Sequence, residues 1–289
     1  MCDDSHKGLV PYTEFNRRQF VALGTAGAAA AAVSAIPGVA WGQTGVTERT
    51  VLIKTPDGKA DASLFLPQQR SAPGVLVWPD INGLRPATAD IGRRLAGMGY
   101  VALVVNPFYR SGDAAAVAPR GTGQDPAERD RKSAMRALMT DEGVTNDGMA
   151  FIAYLDALPE TSKAKLGVQG YCMGGPLAFR TAAAMPKRVG AVGSFHGAGL
   201  VTPTPNSPHL LIEKSRARYL VAIAKGDDAR DPTAKTVLKE TFDKAHRIAT
   251  VEVYGGNHGW CVPDSSAYDR PEAERAWAAL TDLYKAALI

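Results

Sequence analysis

The chain has 289 residues, of which 45% are hydrophobic and 21% are charged, and its formal net charge at pH 7 is +4. This length suits one α/β domain with a large core. The basic residues are scattered rather than clustered or interleaved with aromatic residues, which argues against nucleic-acid binding. The sequence has no repeat, zinc-ligand spacing, phosphate-binding loop or dinucleotide fingerprint, so no metal or cofactor is expected.

The N-terminal segment predicts an export signal rather than part of the fold. Arg17 and Arg18 stand in a stretch that resembles a twin-arginine signal, and an uncharged Ala/Gly-rich run follows. An uncleaved membrane anchor is the alternative, but Pro37 and the weak apolarity of Ala and Gly disfavour it. We therefore predict a signal peptide at 1–42, transport by the twin-arginine export machinery, and a periplasmic or secreted domain at 43–289.

Apolar runs and helical patterns alternate through the rest of the chain. A hairpin is predicted at 51–54 and 62–66, with its turn at Asp57-Gly58. Further strands are predicted at 74–78, 100–105, 165–169, 189–195, 219–224 and 250–254. Helices are predicted at 87–98, 127–139, 145–157, 177–185, 233–246 and from about 272. Loops rich in Gly and Pro are predicted at 111–126 and 197–208, the second at the mouth of a site. This alternation predicts a mainly parallel sheet flanked by helices on both faces.

The segment Gly170-Tyr171-Cys172-Met173-Gly174-Gly175 places one cysteine between glycines, after a predicted strand and before a predicted helix. Strand, sharp turn and helix are the context of a nucleophile elbow, in which glycines let the backbone pass a strained corner. A helix N-terminus behind the sulfur favours the thiolate and offers N–H groups to an oxyanion. The pattern therefore predicts Cys172 as a nucleophile, with a buried structural thiol as the alternative.

A thiol nucleophile needs a base, and the base needs an orienting carboxylate. Of five histidines, His258 lies in a Gly-rich loop directly after the last predicted strand, where an α/β-hydrolase carries its base. A loop histidine bonded to backbone is the alternative. Asp227, Asp228 and Asp231 compete for the role of the acid after the preceding strand. Asp231 before Pro could be a turn or helix-cap residue and Asp227 could be solvated, so we favour Asp228. The order of nucleophile, acid and base then matches that fold.

Together these motifs resemble the dienelactone hydrolase (carboxymethylenebutenolidase-like) family over all but about the first 50 residues. The resemblance rests on the cysteine elbow, the Gly-x-Asp loop at Asp228, the Gly-x-His-Gly loop at His258 and the segment 75–84. It implies an α/β-hydrolase fold. It also implies an oxyanion hole formed by the N–H groups of Ile81 and Met173.

Two positions depart from the family pattern. The family places a glutamate beside the nucleophile, linked to thiol ionisation, and the aligned residue here is Asp80. The family also uses two arginines on the substrate carboxylate. Arg110 matches the first, whereas Val262 occupies the position of the second. Tyr109, Arg110 and Trp260 are the candidate pocket residues, although Trp260 could equally belong to the core. A turn residue and a surface charge are the alternatives for Asp80 and Arg110.

The sequence thus predicts an exported hydrolase that cleaves a small ester or lactone through an acyl-thioester intermediate. Cys172 attacks the carbonyl, His258 moves protons and Asp228 fixes the tautomer of His258. Two alternatives remain open. A non-catalytic or redox protein on the same fold would cycle Cys172 and Cys261 between thiol and disulfide, whereas a hydrolase of another acyl bond would act on a substrate such as a thioester.

Overall fold

The computed structural model describes residues 45–120 and 125–289, and the predicted signal at 1–42 lies outside them. Eight strands form one sheet in the order β1-β2-β4-β3-β5-β6-β7-β8. The first two strands and the β2–β4 pair are antiparallel, and the remaining pairs are parallel. The strands are β1 Thr47–Thr55, β2 Gly58–Leu66, β3 Gly74–Trp78, β4 Val101–Val105, β5 Leu166–Tyr171, β6 Val189–Phe195, β7 Arg218–Ala224 and β8 Ala249–Tyr254.

Helices cover both faces of this sheet. They are α1 Pro86–Gly97, α2 Ala114–Val117, α3 Pro126–Ala137, α4 Asp141–Ala157, α5 Gly174–Ala184, α6 Lys225–Arg230, α7 Ala234–Lys244 and α8 Arg270–Leu288, with a 3₁₀ helix at Pro208–Lys214. Buried side chains of α1 and α8 pack on one face, and those of α4, α5 and α7 pack on the other. Among the described residues, no helix combines the length and the apolarity that crossing a bilayer requires.

The central strands are buried on both sides, as parallel strands between helical layers must be. In β3, Val75 and Val77 belong to the core beneath α1 and α8, whereas Leu76 and Trp78 belong to the core beneath α4 and α5. The side chains thus alternate between the two layers with the period of two that a strand imposes. The expected fold class, a mainly parallel sheet flanked by helices, is confirmed.

The polar residues of interest follow the carboxyl ends of the parallel strands. Asp80 comes after β3, Cys172 after β5, His196 after β6, Asp227 after β7 and His258 after β8. The carboxyl ends of parallel strands share one edge of the sheet, and ligands of open α/β sheets bind in the crevice outside that edge. The topology therefore gathers side chains from distant parts of the sequence into one site.

Candidate active site

The cysteine elbow is a tight, strained corner. Cys172 has a φ of 52° and is 5% exposed, between the end of β5 and the start of α5. A Cβ added to Gly170 would lie 1.9 Å from the carbonyl oxygen of Gly174, and one added to Gly174 would lie 2.4 Å from that of Trp78. Only glycine fits at these two positions. A positive φ at a non-glycine residue costs free energy, and such residues cluster at functional sites.

Backbone hydrogen bonds fix the elbow to the segment that follows β6. The N–H of Cys172 donates to the carbonyl of Phe195 at 3.0 Å, and the N–H of Ala198 donates to the carbonyl of Cys172 at 3.2 Å. The N–H of His196 donates to Ala222 of β7 at 2.8 Å. His196 also adopts a positive φ, 39°, and is 1% exposed. The backbone therefore holds Cys172 and His196 in fixed relative positions.

Three side chains meet at this point. One potential ligand atom each from Cys172, His196 and His258 lies within 4.8 Å of the others. The two imidazole rings are 4.7 Å apart between centroids and meet edge to face at 61°. The predicted nucleophile and the predicted base are thus adjacent, and a second histidine stands beside both.

A carboxylate orients His258. Nδ1 of His258 lies 2.7 Å from Oδ2 of Asp227, an atom pair in which the ring N–H donates and the carboxylate accepts. Burial by itself raises the pKa of Asp227. The hydrogen bond and charge of His258, together with Arg230, outweigh it and leave the pKa below its usual range. A carboxylate that stays ionised keeps the N–H of His258 on Nδ1 and leaves Nε2 as the nitrogen for proton transfer.

The residue bonded to His258 is Asp227, not Asp228 as expected from the sequence. Oδ2 of Asp228 instead accepts a hydrogen bond from Nζ of Lys235 at 2.7 Å. The reason is local: α6 begins directly after β7, and successive residues of a helix point about 100° apart. When Asp227 faces the loop of His258, its neighbour is turned toward α7.

The predicted oxyanion-hole residues lie close together. Ile81 and Met173 pack in the same small apolar cluster, which also contains Phe108 and Met135. The start of α5 approaches the end of β3 so closely that Gly174 has room for no side chain against Trp78 and Pro79. The structure therefore brings together the two segments whose N–H groups were expected to form the hole.

Asp80 is part of a buried network of charges. Its two carboxylate oxygens accept hydrogen bonds from Arg85 at 2.7 and 2.9 Å, and Arg85 also binds both oxygens of Asp264 at 2.6 and 2.8 Å. Burial opposes the charge of Arg85, but the two carboxylates raise its pKa above the usual range. The N–H of Asn82 also donates to Asp80. Asp80 therefore anchors the Ile81 loop; its expected influence on the thiol stays a prediction.

Tyr109 and Arg110, two of the candidate pocket residues, bind carboxylates of the protein itself. The Tyr109 hydroxyl donates to Asp147 at 2.7 Å, and Arg110 donates to Asp147 at 2.7 Å and to Asp57 at 2.6 Å. The guanidinium also lies 4.5 Å from the centroid of the Tyr109 ring. The hairpin turn and α4 thus supply two carboxylates that neutralise Arg110, and its expected role toward a substrate carboxylate stays a prediction.

Trp260 is a core residue, which is the alternative that the sequence left open. It is fully buried and stacks on Tyr254 with ring centroids 5.4 Å apart. Its edge-to-face contact with His196, also 5.4 Å between centroids, places it behind the site rather than in contact with a substrate. Val262 is buried as well. Trp260, a candidate pocket residue, and Val262, which stands where the family has its second arginine, therefore both belong to the core.

Cys261 borders a small cavity of about 30 Å³ together with Tyr171 and Phe195. Burial raises the pKa of the Cys261 thiol well above its usual range, and the nearby charge of Asp80 adds to this effect. In the part of the chain that the structure describes, neither Cys172 nor Cys261 forms a disulfide. A thiol held protonated is a poor partner for thiol–disulfide exchange, because the thiolate is the reacting species.

Known proteins resemble this chain over most of its length. The model of the dienelactone hydrolase family matches residues 60–288. The chain belongs to the dienelactone hydrolase family. A Synechocystis protein named "putative carboxymethylenebutenolidase" is 26% identical over 251 residues, which cover 83% of this chain and 98% of the relative. Carboxymethylenebutenolidase 1 of Cupriavidus pinatubonensis is 25% identical over 231 residues, covering 78% of this chain and 91% of the relative.

Solved structures show the same architecture. A dienelactone hydrolase-like promiscuous phosphotriesterase from metagenomic libraries matches with a TM-score of 0.69 at 21% identity, covering 85% of this chain and 100% of that chain. At this level of identity the likeness shows the fold alone. Membership of the dienelactone hydrolase family confirms the resemblance inferred from the sequence motifs, and the α/β-hydrolase fold agrees with the topology described above.

His196 is the site residue that the sequence interpretation missed. It follows Ser194 and Phe195 at the carboxyl end of an apolar run, which is a position comparable to those of Cys172 and His258 after their strands. A signal for it was therefore present, because every polar residue at the carboxyl end of a predicted parallel strand is a candidate for the same crevice.

Proposed function

We propose that the protein hydrolyses small esters or lactones, with Cys172 as nucleophile, His258 as general base and acid, and Asp227 as the orienting carboxylate. The observation that carries the proposal is a strained cysteine elbow next to His258, which in turn is hydrogen-bonded to Asp227 at 2.7 Å. Nucleophile, base and orienting group in contact are the elements of acyl transfer. The names of the relatives support the same reaction class.

The reaction proceeds in two steps. The Cys172 sulfur attacks the carbonyl carbon while Nε2 of His258 holds the thiol proton. The tetrahedral oxyanion accepts hydrogen bonds from the N–H groups of Ile81 and Met173. The proton held by His258 passes to the leaving alkoxide as the C–O bond breaks. Water, deprotonated by His258, then attacks the thioester and releases the acid and the free thiol. Asp227 stabilises the imidazolium formed in each step.

Substrates without a carboxylate suit this site. Arg85 and Arg110, which lie in the segments after β3 and β4, each bind two carboxylates of the protein itself. A carboxylated lactone would have to break such an ion pair to gain a partner, whereas a neutral ester meets no such cost. The proposed substrates are therefore neutral esters or lactones, handled at least as well as carboxylated ones.

The decisive experiment compares two cysteine variants. Cys172→Ala should abolish hydrolysis of p-nitrophenyl acetate without loss of folding, whereas the matched control Cys261→Ala should keep near-wild-type kcat/KM. Rapid quenching of the wild type followed by mass spectrometry should show acetyl on the peptide containing Cys172. Substantial turnover by Cys172→Ala, or acylation at another residue, would disprove the mechanism.

We also propose that the protein works outside the cytoplasm. The support is Arg17 and Arg18 ahead of an uncharged Ala/Gly-rich run. Twin-arginine export carries folded proteins, which suits a site assembled from five strand ends far apart in the sequence.

A further inference from the structure

The proposed mechanism assigns no role to His196, a buried histidine of the site. His196 stands beside Cys172 and His258, is 1% exposed, and is held at a positive φ by the hydrogen bond of its N–H to Ala222. Left-handed backbone is costly for most residues and less so for His. The strained backbone and the buried position of His196 beside a thiol nucleophile and a second imidazole therefore indicate a functional role for its side chain.

We propose that Cys172, His196 and His258 together bind a divalent cation such as zinc, and that the bound ion reversibly blocks the nucleophile. One potential ligand atom from each side chain lies within 4.8 Å of the others. Tetrahedral zinc with one sulfur and two nitrogen ligands needs ligand atoms about 3.3–3.6 Å apart. The widest of these separations must therefore shorten by at most about 1.5 Å when the ion binds, and side-chain rotation would have to supply this change.

The chemistry of the three ligands selects the class of ion. Thiolate and imidazole are the ligands of zinc and similar borderline or soft cations, whereas magnesium and calcium require oxygen ligands. Cys172 and His196 are buried and the His258 side chain is 13% exposed, so little water must be removed when the ion binds. The thiol proton, where present, passes to solvent as the metal–sulfur bond forms.

The surroundings of His258 fit a metal ligand as well as a base. Its Nδ1 donates to Asp227, which we take to make Nε2 the ligand atom. A carboxylate behind a metal-bound histidine fixes the ring and raises its basicity, and loss of such a partner typically weakens metal binding 10–100-fold. Three protein ligands leave a fourth position of the tetrahedron for water. The same Asp227 that serves hydrolysis would therefore strengthen the metal site.

The inhibitory consequence rests on the proposed function, but metal binding does not. The test therefore measures both. After treatment with EDTA, the wild type is titrated with Co²⁺, and one equivalent should produce a thiolate-to-cobalt charge-transfer band with the d–d bands of tetrahedral coordination. Zn²⁺ should displace the cobalt, inhibit ester hydrolysis at least tenfold, and be reversed by EDTA. If the protein shows the cobalt band but does not hydrolyse esters, the proposed hydrolase function is disproved and the metal site stands. If the protein hydrolyses esters but shows no cobalt band, the metal site is disproved and the hydrolase function stands.

Variants identify the ligands. Cys172→Ser should lose the charge-transfer band. His196→Asn keeps a residue that tolerates the positive φ and should bind Zn²⁺ at least about 100-fold more weakly by calorimetry. Loss of a metal ligand should weaken binding at least as much as loss of the carboxylate behind a ligand does. His209→Asn and Cys261→Ala are matched controls that should bind as the wild type does. If His196→Asn fails to fold by circular dichroism, Asp227→Asn should still weaken binding 10–100-fold. Unchanged zinc affinity in the folded variants, or stimulation of hydrolysis by zinc, would overturn the proposal.

Discussion

At the scale of single residues, the two neighbouring aspartates after β7 have different partners. Asp227 is bonded to His258, whereas Asp228 is bonded to Lys235. The pair therefore offers a matched experiment, because the same substitution at adjacent positions of one short helix changes the same charge. Asp227→Asn should lower kcat/KM for a neutral ester roughly 100-fold or more through loss of the correct His258 tautomer. Asp228→Asn should change it less than about threefold.

The pH dependence follows from the lowered pKa of Asp227. Burial opposes ionisation of this carboxyl, but His258 and Arg230 prevail, so the ionised form persists below the usual carboxyl range of about pH 4. Its support of His258 is therefore present at every pH above that range and is lost only as the pH falls through the depressed value. The acid limb of kcat/KM in the wild type should report another group. Equal activity of the two variants between pH 5 and 8 would contradict the assignment of Asp227.

At the scale of elements, Arg110 ties the first hairpin to α4. Its side chain is 12% exposed, that of Asp147 is 2% exposed, and Asp57 stands in the hairpin turn. Burial, as the largest effect, raises the pKa of Asp147 despite this partner. Arg110→Ala would leave the Asp147 carboxylate without its ion pair and should lower the free energy of unfolding by about 3–5 kcal/mol.

The control for this prediction is an exposed ion pair. Arg49 lies 3.8 Å from Glu160 with 55% of its side chain exposed, so Arg49→Ala should cost less than about 1 kcal/mol. Urea denaturation of both variants measures the difference. If Arg110→Ala is as stable as the wild type but loses activity only toward carboxylated lactones, then Arg110 binds substrate and the structural role assigned here is incorrect.

The elements themselves were largely predictable from the sequence, and their side-chain partners were not. The hairpin, the later strands and the long helices appear within a few residues of the predicted positions, because glycine turns and apolar periodicity are local signals. The sequence alone favoured Asp228 over Asp227, because no local pattern shows where a six-residue helix begins and hence where its side chains point. Arg110 binds Asp57 and Asp147, which are 53 and 37 residues away, and no local sequence pattern indicates such pairs.

At the scale of the whole molecule, the proposed export depends on the signal predicted at 1–42. Replacement of Arg17 and Arg18 by Lys should leave the precursor in the cytoplasm, because the twin-arginine pair is the feature that the export machinery recognises. Cell fractionation with an antibody to the folded domain measures this, and a cytoplasmic marker enzyme controls for leakage. Mature protein that still reaches the periplasm would show that another route exports it.

The charge network around Arg85 has a consequence for redesign of the enzyme. Arg85 joins Asp80, five residues before it, to Asp264, 179 residues after it, so that the loops after β3 and β8 share one buried guanidinium. A directed-evolution library that varies only one of these loops would mostly produce variants with an unpaired charge in the interior, and such a charge strongly destabilises the folded protein. Libraries that aim at new acyl groups should therefore randomise positions 80, 85 and 264 jointly, or leave all three untouched.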